Sequence, residues 1–194
     1  MANPYITVIN AVYASNNMGI DVTSQVENLI SGGNDDITAN NTNFGDPDDG
    51  AEKYFFIWYS SPSLNGGNPI GLACGENQSI DLIPVPVPPG LFSTSAQPSL
   101  AASSVCPIMV TRAVYGTPNN GFDVTAICQG LVNQGGIIAG QTPAPPQVSL
   151  ALSNGTFGGD PDPGNVKYFA IEYSNAGQIF YLGGEEGQTL TLTI

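Results

Sequence analysis

The chain has 194 residues, and three basic residues against sixteen acidic ones leave a net charge of −13. Such a balance repels a phosphate backbone instead of releasing its counterions, which excludes nucleic acid and anionic membrane surfaces as partners. No apolar run approaches the roughly eighteen residues of a membrane-spanning helix, so no membrane insertion is expected, and no basic n-region precedes Ser15 to mark a secretion signal, which leaves the compartment open.

In chain order, Ile6, Val8 and Val12 alternate with polar or smaller neighbours, which predicts a strand. A helix is expected to begin at Asp21, whose carboxylate can accept from the free amides of a first turn. Val22, Val26, Leu29 and Ile30 then recur at i, i+4, i+7 and i+8 as one buried face, and Gly32-Gly33 ends it. The acidic loop Gly45-Asp46-Pro47-Asp48-Asp49-Gly50 follows, and Lys53 leads from it into Tyr54-Phe55-Phe56-Ile57-Trp58-Tyr59, read as a strand. Ile83 to Pro107 carries Pro84, Pro86, Pro88, Pro89 and Gly90 ahead of a run rich in Ser and Ala, so it reads as a stiff strap and then a flexible stretch.

Beyond that linker the chain repeats itself. Ala11-Val12-Tyr13 returns as Ala113-Val114-Tyr115 and Asp21-Val22-Thr23 as Asp123-Val124-Thr125, both 102 positions on. After a net insertion around residues 140–147, Asp46-Pro47 returns as Asp160-Pro161 and Lys53-Tyr54 as Lys167-Tyr168, both 114 positions on. A second helix is therefore expected from Asp123 to Gly135-Gly136, and Gln147 to Ser153 and Gln188 to Ile194 alternate strictly as half-buried strands. The predicted fold class is mainly β: two homologous small antiparallel β-sandwich domains, each with one short helix. Residues 1–83 form the first, 84–107 the Pro/Ser-rich linker and 108–194 the second.

The aromatic strand carries more information when its two copies are compared. Alternate residues face opposite ways, so Phe55, Ile57 and Tyr59 match Phe169, Ile171 and Tyr173 as the core face. The opposite face holds Tyr54, Phe56 and Trp58 in the first copy and Tyr168, Ala170 and Glu172 in the second. A glutamate is not buried unpaired, which places that face outward and makes Tyr54, Phe56 and Trp58 the candidate ligand or interface strip. Exposed aromatics of this size are expected to be covered by the other copy, the proline strap, another chain or a ligand.

Alternating carboxylates before a glycine resemble half of a calcium loop, so Asp46, Asp48, Asp160 and Asp162 are candidate metal ligands. The pattern lacks a distal bidentate glutamate, and a turn fixed by Pro and Gly accounts for the same residues. Lys53 and Lys167 are the only lysines in the chain and occupy matching positions. They are expected to pair with the loop carboxylates or with Asp21 and Asp123. Cys128 stands where the first copy has Val26, the place of a small buried side chain. Cys74 and Cys106 have no cysteine counterparts, and an odd cysteine count leaves a bridge between them open. With no histidine, Ser-His-Asp and Cys-His centres cannot form, no phosphate-cradling Gly-Lys-Ser/Thr motif occurs, and no catalytic residue is assigned.

Ala113-Val114-Tyr115-Gly116, Asp123-Val124-Thr125, the run Phe157 to Gly164, Lys167 and Tyr173 together resemble the C-terminal domain of a mitochondrial DnaJ-like subfamily. That domain is similar to a domain of unknown function found alone or in tandem. Copy one departs with Ala14 for the Gly and Asp49 for the second Pro. No J-domain is present, so co-chaperone activity does not carry over; the resemblance implies a small β-rich module without established catalytic residues. The expected function is a non-enzymatic recognition module for a glycan or a protein surface. Self-association into a structural or filament-forming protein is the first alternative, and a glycoside hydrolase using paired carboxylates is the second.

Overall fold

The computed structural model describes residues 5–84, 108–135 and 147–193. The linker beyond Pro84, Cys106 and the inserted region up to Pro146 lie outside these residues. The first half runs β1 (Thr7–Ala14), β2 (Gly19–Asp21), α1 (Thr23–Ile30), β3 (Asp36–Thr38), α2 (Asn41–Phe44), β4 (Tyr54–Ser60), β5 (Ile70–Gly75) and β6 (Ser79–Asp81). Four of its strands form an antiparallel sheet in the order β2-β1-β4-β5, and β3 pairs with β6 in a ribbon. The second half runs β7 (Ile108–Gly116), β8 (Gly121–Asp123), α3 (Thr125–Gly135), β9 (Gln147–Ala151), β10 (Tyr168–Asn175), β11 (Gln178–Glu185) and β12 (Thr189–Thr193). Its sheet order is β11-β10-β7-β8 and its ribbon β12-β9. The fold is mainly β, and each half places its helix and ribbon against the inner face of a four-stranded sheet. One difference from expectation is α2, a single turn capped by the Asn40 side chain, which accepts from the Asn43 amide at 2.9 Å.

The recurring Asp-Val-Thr has a local explanation. Asp21 ends β2, and the helix starts two residues later than expected, because its carboxylate turns the chain by accepting from the Thr23 amide at 2.8 Å. The Thr23 hydroxyl then accepts from the Ala11 amide at 3.0 Å, and the Val22 amide donates to the Ala11 carbonyl at 2.9 Å. The second copy repeats all three: the Thr125 amide donates to Asp123 at 3.0 Å, the Val124 amide to the Ala113 carbonyl at 3.0 Å, and the Ala113 amide to the Thr125 hydroxyl at 2.9 Å. Among the described residues the lysines meet Asp46, Glu76, Asp160 and Glu186, and each helix start is stitched to the strand beneath it by hydrogen bonds.

The alternation of Ile6, Val8 and Val12 does not describe one face. A β-bulge between Val8 and Asn10 shifts the register against β4, and an extra residue in one strand reverses the facing of everything after it. Ile6, Val8, Ala11 and Tyr13 consequently share the first core, while Val12 and Ala14 face away from it. In that core Phe55, Ile57 and Tyr59 pack with Val26 and Ile30 of α1. The second core repeats this with Phe169, Ile171 and Tyr173 against Cys128 and Val132 of α3. Cys74 and Cys128 are free, buried thiols.

The face opposite these cores points away from them, as the two copies imply, and of the four expected covers it is the other copy that seals it. Tyr54, Phe56 and Trp58 are buried together with Val12, Ala14 and Ala73, and the cover is Val114, Tyr168 and Ala170 of the second half. Glu172, expected to be outward, is only 8% exposed. It escapes being unpaired because Asn10 and Thr111 hydrogen-bond its carboxylate and Arg112 lies nearby. The two sheets therefore meet through their outer faces.

Contacts across this junction are reciprocal. The Ala73 amide donates to the Thr117 carbonyl at 3.2 Å, and the Gly183 amide donates to the Ser15 carbonyl at 2.7 Å. Gln78 Nε2 donates to the Tyr168 hydroxyl at 2.6 Å, and Gln188 Nε2 donates to the Tyr54 hydroxyl at 3.1 Å. Each bond is its counterpart with the two halves exchanged, the pattern of an isologous, twofold contact, formed here within one chain. Closeness at the rim requires glycine: a Cβ on Gly121 would strike the Gly71 carbonyl oxygen across the junction.

Two outcomes follow from this junction. Gly121→Ala should cost about 1–3 kcal/mol, the usual price of overpacking, read as a lower denaturant midpoint. Burial raises the Glu172 carboxyl above the ordinary value of 4.5 against the pull of Arg112. A raised folded value means that this group's contribution is full below 4.5 and is lost as pH climbs through the folded value. Glu172→Gln should accordingly melt higher than wild type at pH 7, with the difference vanishing below pH 4.5.

Candidate functional site

The acidic loops end on buried lysines. Lys53, 3% exposed, enters β4 from the loop with its ammonium 2.9 Å from Asp46 Oδ1 and 3.9 Å from Glu76 Oε2, and it donates to the Ala51 carbonyl at 2.8 Å. Lys167 at the start of β10 does the same with Asp160 at 3.0 Å, Glu186 at 3.1 Å and the Asn165 carbonyl at 2.8 Å. A buried ammonium must be matched by acceptors in this way. The other oxygen of Asp46 accepts from Asn41 at 2.9 Å, and that asparagine accepts from the Tyr13 hydroxyl at 2.9 Å. Asn154 links Asp160 to Tyr115 at 3.2 and 2.9 Å.

Each half thus holds a Tyr-Asn-Asp-Lys-Glu network whose cation is the lysine itself. Hydrogen bonding to Lys53 holds the Asp46 carboxyl below the ordinary aspartate value, against a small opposing effect of burial. Burial works against the Lys167 charge, but hydrogen bonds to Asp160 and Glu186 outweigh it and raise the amine above its ordinary value. An amine so protonated is a poor nucleophile. Asp48 accepts from the Ser15 hydroxyl and from Asn17 at 3.3 Å, and Asp162 accepts from the Thr117 hydroxyl at 2.7 Å. The four aspartates therefore bind chain donors, and among the described residues no three His, Cys, Asp or Glu side chains converge on a common point for a cation.

The clamp fixes one wall of a groove at the junction. On one side stand Gln78 and Ser79, at the turn into β6; opposite are Thr117, Pro118 and Asn119 from the β7–β8 turn. Asp162, Asn165 and Val166 from the second acidic loop and Tyr168 of β10 complete the lining. The space is about 500 Å³ and open to solvent. The Tyr168 ring is nearly covered, its hydroxyl held by Gln78, whereas Val166 is 49% exposed beside the opening. Thr117 is locked by its bond to Asp162, while Asn119, Asn165 and Ser79 reach solvent.

Of the residues predicted for ligand contact, Phe56 and Trp58 are sealed inside the junction and cannot stack on a ligand. Tyr54 sits at the edge of the same cluster and bonds Gln188. Asp162 is the predicted residue that the groove contains. Sequence reasoning passed over Gln78, Gln188, Glu76 and Glu186, which recur 110 positions apart. The matching offset was hidden because the β4–β5 connection spans Ser61 to Pro69, whereas β10 and β11 are joined by Ala176-Gly177 alone, both with positive φ.

Lys53→Met should destabilise the fold by about 3 kcal/mol, the lower end for removing one partner of a buried pair, because the carboxylates still reach water. Since the folded value of Asp46 is depressed, its contribution is present above 3.8 and is lost as pH falls through the folded value. Acid melting below pH 3.8 should therefore be shallower in Lys53→Met than in wild type, measured by thermal unfolding across that range. No protein-family model matches the chain, and no curated protein or solved structure matches it, so the resemblance drawn from Ala113 to Tyr173 rests on those residues alone.

Proposed function

We propose that the protein is a non-enzymatic recognition module that binds a neutral glycan in the junction groove. The observation that carries this reading is the lining itself: side-chain amides of Gln78, Asn119 and Asn165, the Ser79 hydroxyl and the Asp162 carboxylate that Thr117 holds in place, with Val166 and Pro118 beside them. Amides offer donors and acceptors together and a carboxylate accepts twice over, which suits sugar hydroxyls that do both. Val166 and Pro118 supply the apolar contact that a sugar's C–H face takes. Convergent polar groups in a concave site fix orientation, and the apolar contact adds affinity. A net charge of −13 disfavours anionic ligands.

The groove is formed by both halves, and its turn and loop residues are held by the junction bond of Gln78 to Tyr168 and by the bond of Thr117 to Asp162. Asn119 is exposed, and its side chain is not part of the lysine clamps. Asn119→Ala should therefore leave the unfolding free energy within about 0.5 kcal/mol of wild type while weakening binding to the best ligand on a glycan array about tenfold, the value of one or two hydrogen bonds. Unchanged array signals for Asn119→Ala and Val166→Glu would remove the groove from consideration.

Self-association remains the second reading, supported by one observation. Met109 and Ile179 flank Ser174 in register on the second sheet, 66% and 58% exposed, so a small apolar strip crosses β7, β10 and β11. Size-exclusion chromatography of Met109→Lys against wild type separates the two readings: a mass change with this substitution favours assembly through that strip.

A further inference from the structure

We infer that the chain carries a second glycan groove, at the opposite end of the junction, and is therefore bivalent within one polypeptide. This rests on the reading of the first groove and extends it. The reciprocal bonds across the junction relate each wall of the first groove to a counterpart. Gln78 and Tyr168 correspond to Gln188 and Tyr54, and both pairs bond amide to phenol across the halves, at 2.6 and 3.1 Å. Thr117 corresponds to Ser15: the first receives the Ala73 amide and bonds Asp162, the second receives the Gly183 amide and bonds Asp48. Asn119 corresponds to Asn17, which is exposed and reaches Asp48 at 3.3 Å.

The same chemical types are thus gathered twice: an amide from the β5–β6 or β11–β12 turn, a phenol beneath it, a hydroxyl-carboxylate pair and an exposed asparagine on the turn after the first strand. Thr189 follows Gln188 as Ser79 follows Gln78, completing the hydroxyl set. Three positions differ. Val166 is replaced by Glu52, Pro118 by Asn16 and Asn165 by Ala51. Glu52 is exposed and lies 3.4 Å from the Tyr54 hydroxyl, so it takes the place of the apolar contact beside the opening.

The second groove lacks the Asn165 amide at Ala51 but gains one at Asn16, so the number of hydrogen-bonding groups is kept while the contact for a sugar's C–H face is lost. Losing about half of the burial of one valine side chain corresponds to roughly tenfold in affinity. The two grooves should accordingly bind the same class of neutral oligosaccharide, the second about tenfold more weakly, at opposite ends of the junction.

The test uses the full chain, isotopically labelled, titrated with cellotetraose, maltotetraose and mannotetraose while the side-chain amides of Gln78, Asn119, Gln188 and Asn17 are followed by NMR. With at least one of these sugars, the Gln78 and Asn119 signals should move first and the Gln188 and Asn17 signals at about tenfold higher concentration, reaching two ligands per chain. Asn17→Ala should abolish the second set of shifts and leave the first intact, with the unchanged backbone amide spectrum reporting that the variant is folded. Glu52→Val should bring the two midpoints together. Movement of Gln78 and Asn119 alone, at a stoichiometry of one, overturns the second groove and leaves the first standing. Movement of neither set with any of the three sugars overturns the neutral-glycan reading and the second groove with it.

Discussion

The contact on which the rest of the structure depends is the face-to-face burial of two sheets that each have a core on their other side. Phe56, Trp58, Val12 and Ala73 cannot be left wet, and Val114, Tyr168 and Ala170 of the second half, with Tyr181 packed against them, supply the cover. Each half has fewer than 90 described residues, a size at which a single core leaves a domain marginal. A third apolar cluster shared by both halves adds burial that neither could supply alone. It also sets the groove, because Gln78 and Thr117 face each other only when the sheets are in contact.

The lysine networks act on a different scale. They contribute little apolar burial but convert two acidic loops into fixed walls by giving Asp46 and Asp160 a single buried cation each. Surface ion pairs are worth little; these are different because each ammonium is nearly inaccessible and also bonds a backbone carbonyl of the same loop. Tyr13 and Tyr115 extend each network into the cores, where their rings pack against Phe44 and Phe157. Those phenylalanines stack in turn on Phe55 and Phe169 at 4.9 and 5.0 Å. Loop, cation and core are therefore coupled from the groove wall inward.

Much of this was legible in the residues. The period-two strands at Val148-Leu150 and Leu190-Leu192, the helix face of Val22, Val26 and Ile30, and the core side of the aromatic strand follow from local rules that the tertiary structure obeys. The lysine partners were legible too, as one of two choices: two cations in a strongly acidic chain must find carboxylates. What could not be read was which of the four expected covers seals the aromatic strip, nor that Glu172 is itself buried. Outwardness was inferred from Glu172 on the premise that a glutamate is not buried unpaired, and Asn10, Thr111 and Arg112 remove the premise by supplying partners from elements distant in sequence. The bulge after Val8 was equally hidden, since one extra residue leaves no mark on composition yet reverses the face of Val12. Asp162 was found for its charge, but the groove around it was not, because its opposite wall comes from Gln78 and Ser79, more than eighty residues away.

Joining the two halves in one chain has a consequence for how this molecule can change. In a homodimer built on the same contact, every substitution appears at both ends and must be tolerated twice over. Here Trp58 and Glu172 occupy equivalent strand positions with opposite chemistry, a pairing that would be forbidden if one sequence had to serve both places. Covalent connection also replaces association in solution by an effective concentration set by the tether, so the contact need not survive dilution unaided. The fused chain is free to specialise one end while the other keeps the shared surface together.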